Sequence, residues 1–217
     1  TFGRERRAGD VGADQELGRS EVPREESALL NNLGGVYQQL GQYQKALDFY
    51  QDALDIAREL EDRLQQGKIT HNIALVSDEL GDGDRAVGFY QEALDIRRSI
   101  GDRSGIASTL NNLGLLYSQR NRSIDATAHL EEALAIFQEL GDRAGESRTL
   151  DSLATLSLSL GNNKKALEFY QRSFVIQRNI GDRAGQIITL NNLASVLEKR
   201  GEIELAILFY KESVNLT

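Results

Sequence analysis

Laid on itself at a shift of 40 residues, so that Ala46 falls on Ala86, the chain aligns from end to end without a gap. No other feature constrains the fold as strongly. Leu33, Ile73, Leu113, Leu153 and Leu193 share one column, and Ala46, Ala86, Ala126, Ala166 and Ala206 share another. Tyr50, Tyr90, Leu130, Tyr170 and Tyr210 form a third, and Ile56, Ile96, Ile136, Ile176 and Leu216 a fourth. A register this strict means one supersecondary unit used five times, each copy burying its apolar face against its neighbours.

Within a copy the apolar spacing is helical. In "TLNNLGLLY" (109–117), Leu110, Leu113, Gly114 and Tyr117 stand at i, i+3, i+4 and i+7. In "KALEFYQRSFVI" (165–176), Ala166, Phe169, Tyr170, Ser173 and Phe174 make the corresponding stripe. Between the halves lie "LGQY", "LGDG" or "LGNN", where a glycine after leucine suits a left-handed helix end. Each copy therefore reads as helix A, a tight turn and helix B. Small residues in the stripes (Gly34, Gly114, Ala46, Ala53) let the two helices approach closely.

The segment "GDRAG" occurs at 141–145 and 181–185, "GDRSG" at 101–105, and a worn copy, Glu61-Asp62-Arg63, opens the series. A phosphate loop would follow a strand and carry Lys-Ser/Thr, and neither is present. The reading that fits is a joint between repeats. Gly181 ends helix B with positive φ, Asp182 caps the next helix A, and Gly185 clears space for the preceding helix B. Pro23 stands where later copies place arginine, at the expected first position of helix A.

Composition narrows the chemistry. Of 217 residues none is cysteine, so disulfides, thiolate metal sites and cysteine nucleophiles are excluded. The two histidines are His71 and His129. His71 shares a helix face with Asp78 and Glu79, but at i, i+7 and i+8 rather than the i, i+4 of a metal pair, so no metal or cofactor is expected. No nucleophile elbow or oxyanion hole is recognisable, and the chain reads as no enzyme. A net charge of −8 carries no basic footprint for nucleic acid. No apolar run approaches a membrane span, and the expected location is cytoplasmic. Residues 1–21, rich in Arg, Gly and Asp, read as a flexible tail ahead of repeats at about 22–60, 61–100, 101–140, 141–180 and 181–217. The start at Thr1 rather than Met is expected of a fragment or a processed form.

The columns resemble the tetratricopeptide repeat. Leu33-Gly34, Tyr37, Gly41-Gln42-Tyr43, Ala46, Tyr50 and Ala53-Leu54 match its pattern, in a 40-residue rather than the usual 34-residue form. The long form is similar to arrays in Pins-type adaptors, kinesin light chains and bacterial proteins joined to CHAT protease-like or NTPase domains. The resemblance implies an all-α, right-handed superhelix of five helix–turn–helix repeats with helix A lining the concave face. It also implies a protein–protein interaction scaffold that takes a protein or peptide ligand there.

On that face the recurrent residue is asparagine: Asn31, Asn32, Asn72, Asn111, Asn112, Asn191 and Asn192. A carboxamide offers donors and an acceptor to the backbone of an extended peptide. Selectivity would then fall to Lys68, His71, Arg148, Asp151 and Lys199, although an asparagine can equally bond to the adjacent helix. The mixed charge disfavours a clamp for paired carboxylates. Two further readings stand beside the scaffold. One is a sensor or regulatory part of a larger enzyme. The other is an array that self-associates through helix B of repeat 5, which ends near Thr217 with no polar capping helix after it.

Overall fold

In the computed structural model the backbone is described for residues 10–216 and the side chains from Val22 onward. The described residues form ten α-helices and no strand. They are α1 (Asp10–Gln39), α2 (Tyr43–Glu59), α3 (Arg63–Glu79), α4 (Gly83–Ser99), α5 (Arg103–Gln119), α6 (Ser123–Leu140), α7 (Arg143–Ser159), α8 (Asn163–Ile180), α9 (Arg183–Lys199) and α10 (Ile203–Asn215). Odd-numbered helices are the A helices and even-numbered ones the B helices, and each A packs mainly on its own B. The chain divides into two compact units, Thr1–Asp102 with α1–α4 and Arg103–Thr217 with α5–α10. No helix among the described residues is long and apolar enough to cross a membrane.

The first repeat departs from expectation at its start. Helix α1 begins at Asp10, so part of the expected tail over 1–21 is helical, while residues 1–9 lie outside the described residues. Pro23 is consequently inside a helix rather than at its first position. Proline there withholds one N–H, but its φ is compatible with a helix that continues on both sides.

Inside each hairpin small residues set the approach. Ala46, Ala86, Ala126 and Ala166 are all fully buried. Where the helices cross, Ser27 Oγ donates to the carbonyl of Ala53 at 2.8 Å, and Ser173 Oγ to that of Ser147 at 3.0 Å. A Cβ added at Gly34 would stand 2.5 Å from the Tyr50 ring, and one at Gly114 would stand 2.7 Å from Leu130. Consecutive hairpins then close over apolar clusters. In the first unit Leu47, Tyr50 and Leu54 of α2 meet Ile69, Ile73 and Val76 of α3. In the second, Leu167 and Tyr170 of α8 meet Leu193, Val196 and Leu197 of α9. Each such side chain, once covered, contributes about 1.5–3 kcal/mol.

The joints are built as the glycine–aspartate signature predicts. Gly141 and Gly181 have φ of +68° and +75°, ending α6 and α8 in the left-handed region. Asp62, Asp142 and Asp182 each accept the backbone N–H three residues on, at 3.1, 2.8 and 2.9 Å. A Cβ at Gly145 would collide with the Phe137 ring of α6, so the glycine clears space for the preceding helix B. The worn joint places Glu61 at φ +53° and the third A–B turn places Asn121 at +58°, two side-chain-bearing residues in a region that favours glycine. Glutamines complete the lock: Gln66 Nε2 donates to the carbonyl of Ala57 at 2.9 Å, and Gln186 Nε2 to that of Gln177 at 3.4 Å.

Candidate interaction face

Beyond its packing on B helices, α1 lies beside α3 in the first unit and α5 beside α7 in the second. In the first unit Asn72 Nδ2 of α3 donates to Asn31 Oδ1 of α1 at 2.9 Å. Around this pair opens a cleft of about 590 Å³ lined by Asn31, Asn32, Gly35, Gln38, Gln39 and Asn72, with Glu79 beside them. Its Tyr50 hydroxyl donates to Gln38 Oε1 at 2.9 Å.

The second unit repeats the arrangement with substitutions. Asn111 Oδ1 accepts from Ser152 Oγ of α7 at 3.2 Å, and Asn111 Nδ2 donates to Asn112 Oδ1 at 3.4 Å. Asn191 Oδ1 accepts from Ser213 Oγ of α10 at 2.8 Å. The first asparagine of the pair thus serves as an acceptor for a neighbouring helix at 31, 111 and 191. Asn31 and Asn191 use the amide oxygen in this way, and Asn111 also spends an N–H on Asn112, so the row is at least partly structural.

The charged candidates separate by burial. Lys68, Arg148 and Lys199 are exposed, as are Asn32 and Asn191, while Asn112 and Asn192 are half-buried. His71, expected on this face, is buried instead. It stands edge-on to Tyr90 with ring centroids 5.4 Å apart. Burial, with Arg97 adding positive charge nearby, lowers its pKa to about 3, so it is a neutral core residue. On the same helix Gly67 lies close against α4, where an added Cβ would stand 3.1 Å from Arg97 and 3.2 Å from Ile96.

Asp151 occupies the same column but is tied down from two directions. Its carboxylate accepts from Gln177 Nε2 of α8 at 2.9 Å and from Thr189 Oγ1 of α9 at 3.3 Å. Burial pushes its pKa up to about 6, against hydrogen bonds from Ser173, Thr189 and Gln177 that pull it down, and the charge of Asp182 pushes the same way as burial. Gln177 Oε1 is buried with no partner among the described residues. The sequence marked Asp151 as a ligand contact; nothing in the spacing announced the buried polar cluster around it.

A second kind of cleft went unread in the sequence. In the first unit Arg58, Arg63, Gln66, Glu92 and Asp95 line about 840 Å³ between the α2–α3 joint and α4. In the second, Arg143, Glu146, Glu168, Arg172 and Val175 line about 590 Å³ at the equivalent place. The available signal was the arginine of the Gly-Asp-Arg joints. These arginines spend their charge locally, Arg143 on the buried Glu146 and Arg103 on Glu139.

Comparison with known proteins bears on this geometry. The sequence profile described as "Tetratricopeptide repeat" matches residues 25–99, 65–139, 105–176 and 145–217. Among solved structures, BtubC (BKLC) from P. vanneervenii is 24% identical, with 94% of this chain and 90% of that one covered and a TM-score of 0.76. PilF of Pseudomonas aeruginosa is 23% identical, with 90% and 78% covered and a TM-score of 0.71. A Rap protein complexed with competence and sporulation factor is 16% identical, with 88% and 54% covered and a TM-score of 0.79. At these identities the likeness is one of fold. No curated protein matches the sequence significantly.

Proposed function

Because this chain belongs to the tetratricopeptide repeat family, we propose that it is a protein-interaction scaffold whose A-helix faces hold an extended peptide or partner segment. The observation that carries the reading is the open cleft of the first unit, floored by carboxamides and bounded by half-buried Asn31 and Asn72. Amide groups fixed by one bond each keep donors and acceptors at defined places, which suits a peptide backbone and costs little ordering entropy on binding. Exposed Lys68 and Glu79 in the first unit, and Arg148, Glu198 and Lys199 in the second, give the A helices of each unit both signs of charge, which favours a ligand carrying both. The Rap protein of the same fold, complexed with competence and sporulation factor, supports a binding role of this kind. The reading assigns the chain no catalytic step, and includes association of the chain with itself through α10.

The test changes exposed positions and leaves the inter-helix bonds intact. Wild type and an Asn32→Ala/Lys68→Ala/Arg148→Ala/Lys199→Ala variant are immobilised and used to capture partners from a lysate of the source organism, with mass spectrometry as readout. Partners held by wild type and lost by a variant of unchanged circular dichroism support the A-helix face. Partners held equally by both overturn it and move the binding surface to the clefts at the joints.

A further inference from the structure

An ionised carboxylate withdrawn from water needs a cation or a full set of hydrogen-bond donors. Asp151, half-buried on α7, has neither. Gln177 Nε2 donates to it at 2.9 Å, and the one Thr189 hydroxyl is divided between its two oxygens at 3.3 Å each. The Ser173 hydroxyl also reaches it, but its one proton is shared with the carbonyl of Ser147, 3.0 Å away. A carboxylate offers about four acceptor sites, so the set of donors is incomplete. Among the described residues no cation acts on it, and the neighbouring charge, that of Asp182, has its own sign.

Behind Asp151 the shortage continues. Gln177 is 1% exposed, and its Oε1 is buried with no partner among the described residues. Turning the amide over would give up the bonds from Nε2 to Asp151 and Ser173 and set the oxygen against the carboxylate. The repeat does not demand this arrangement, because the same column carries uncharged Asn31, Asn111 and Asn191. A charge kept at a cost to the free protein marks a functional position. We infer that Asp151 receives a lysine or arginine side chain of the ligand, whose cation supplies the missing charge and donors. The inference rests on the A-helix face of the second unit being where a peptide lies. Gln177 and Thr189 are positioning residues that fix the carboxylate from α8 and α9. Since the carboxylate has already lost part of its water, little further desolvation opposes the pairing.

The probes are dye-labelled, end-capped heptapeptide pools with randomised flanks and a fixed central lysine, arginine, norleucine or glutamate. Norleucine keeps the aliphatic stem of lysine and removes its charge. Retention of each pool is measured on the immobilised 217-residue chain, on Asp151→Asn, and on Glu131→Gln, which removes one exposed charge from α6. Both variants are expected to keep the wild-type circular dichroism spectrum. Wild type and Glu131→Gln should retain the lysine and arginine pools about tenfold or more over norleucine, as a charge-assisted contact implies. Asp151→Asn should retain the lysine, arginine and norleucine pools alike. A wild type that holds those pools equally overturns the inference and leaves the peptide-holding reading in place. A preference that survives in Asp151→Asn, or that Glu131→Gln also loses, overturns it as well, by assigning the cation to another group or to the net charge of −8. Retention of no pool overturns the inference and the reading together.

Discussion

Asp151→Asn is expected to stabilise the protein at neutral pH and to lose that advantage in acid. Burial penalises the charge of Asp151 and raises its pKa from the ordinary 3.8 to about 6. A native pKa above the unfolded one means the native state holds the proton more tightly. The stability this contributes is complete below about pH 4 and is lost as pH rises through about 6. Two pKa units correspond to about 3 kcal/mol, and screening at a site that keeps some solvent contact reduces this to about 1–2 kcal/mol. An asparagine stays neutral and can keep the same partners, its Oδ1 accepting from Gln177 and its Nδ2 donating to Thr189 Oγ1. It is also the residue that this column carries at 31, 111 and 191. Urea unfolding followed by far-UV circular dichroism, wild type against variant, would be run at about pH 8 and about pH 4. The variant should be more stable by about 1–2 kcal/mol at the higher pH and equal within error at the lower. A variant less stable at about pH 8 would show that the carboxylate's hydrogen bonds outweigh its desolvation. The same difference at both values would show that ionisation is not involved.

Glu61→Gly should stabilise by about 0.5–1 kcal/mol, since Glu61 holds φ at +53° where the later joints use glycine; an unchanged or lower urea midpoint would count against backbone strain there. Ala126→Leu should cost about 1–3 kcal/mol by forcing a larger side chain into the fully buried α5–α6 contact, and a midpoint equal to wild type would contradict that packing.

Most of the architecture was legible because packing repeats. Five fully aligned alanines can only mean a close helix contact made five times, and four of them are fully buried with the fifth, Ala206, nearly so. The Gly-Asp pairs were legible for the same reason: left-handed φ and an N-cap each select one residue type. What periodicity could not reveal was context. Pro23 occupies the position of Arg63, Arg103, Arg143 and Arg183, but only α1 continues ahead of that position, and nothing in the repeat register encodes an extension. His71 is another such case. Its column holds Asn31, Asn111, Asp151 and Asn191, yet His71 is buried edge-on against Tyr90 of α4. The register of the repeat does not encode which partner on helix B meets a given side chain.

The same logic separates the inter-helix residues of the A helices from those left on the open side. Positions that repeat are held by a shared packing requirement, and the first asparagine of the pair is partly of this kind, since Asn31 and Asn111 each bond to the following A helix while copies two and four carry His71 and Asp151 there. Positions that vary while remaining on the open side answer to no such requirement. Ala28, Lys68, Ser108, Arg148 and Ile188 form one column. Lys68, Arg148 and Ile188 in it are exposed, with a cation in one hairpin, another cation two hairpins on and a large apolar group after that. Gln39, Glu79, Gln119, Ser159 and Lys199 form another, exposed throughout. Recurrent asparagines could hold a backbone of any sequence, but discrimination between ligands needs contacts that differ from place to place. Under the proposed peptide-holding role the two varying columns would supply that difference, and the asparagines would set where an extended chain lies.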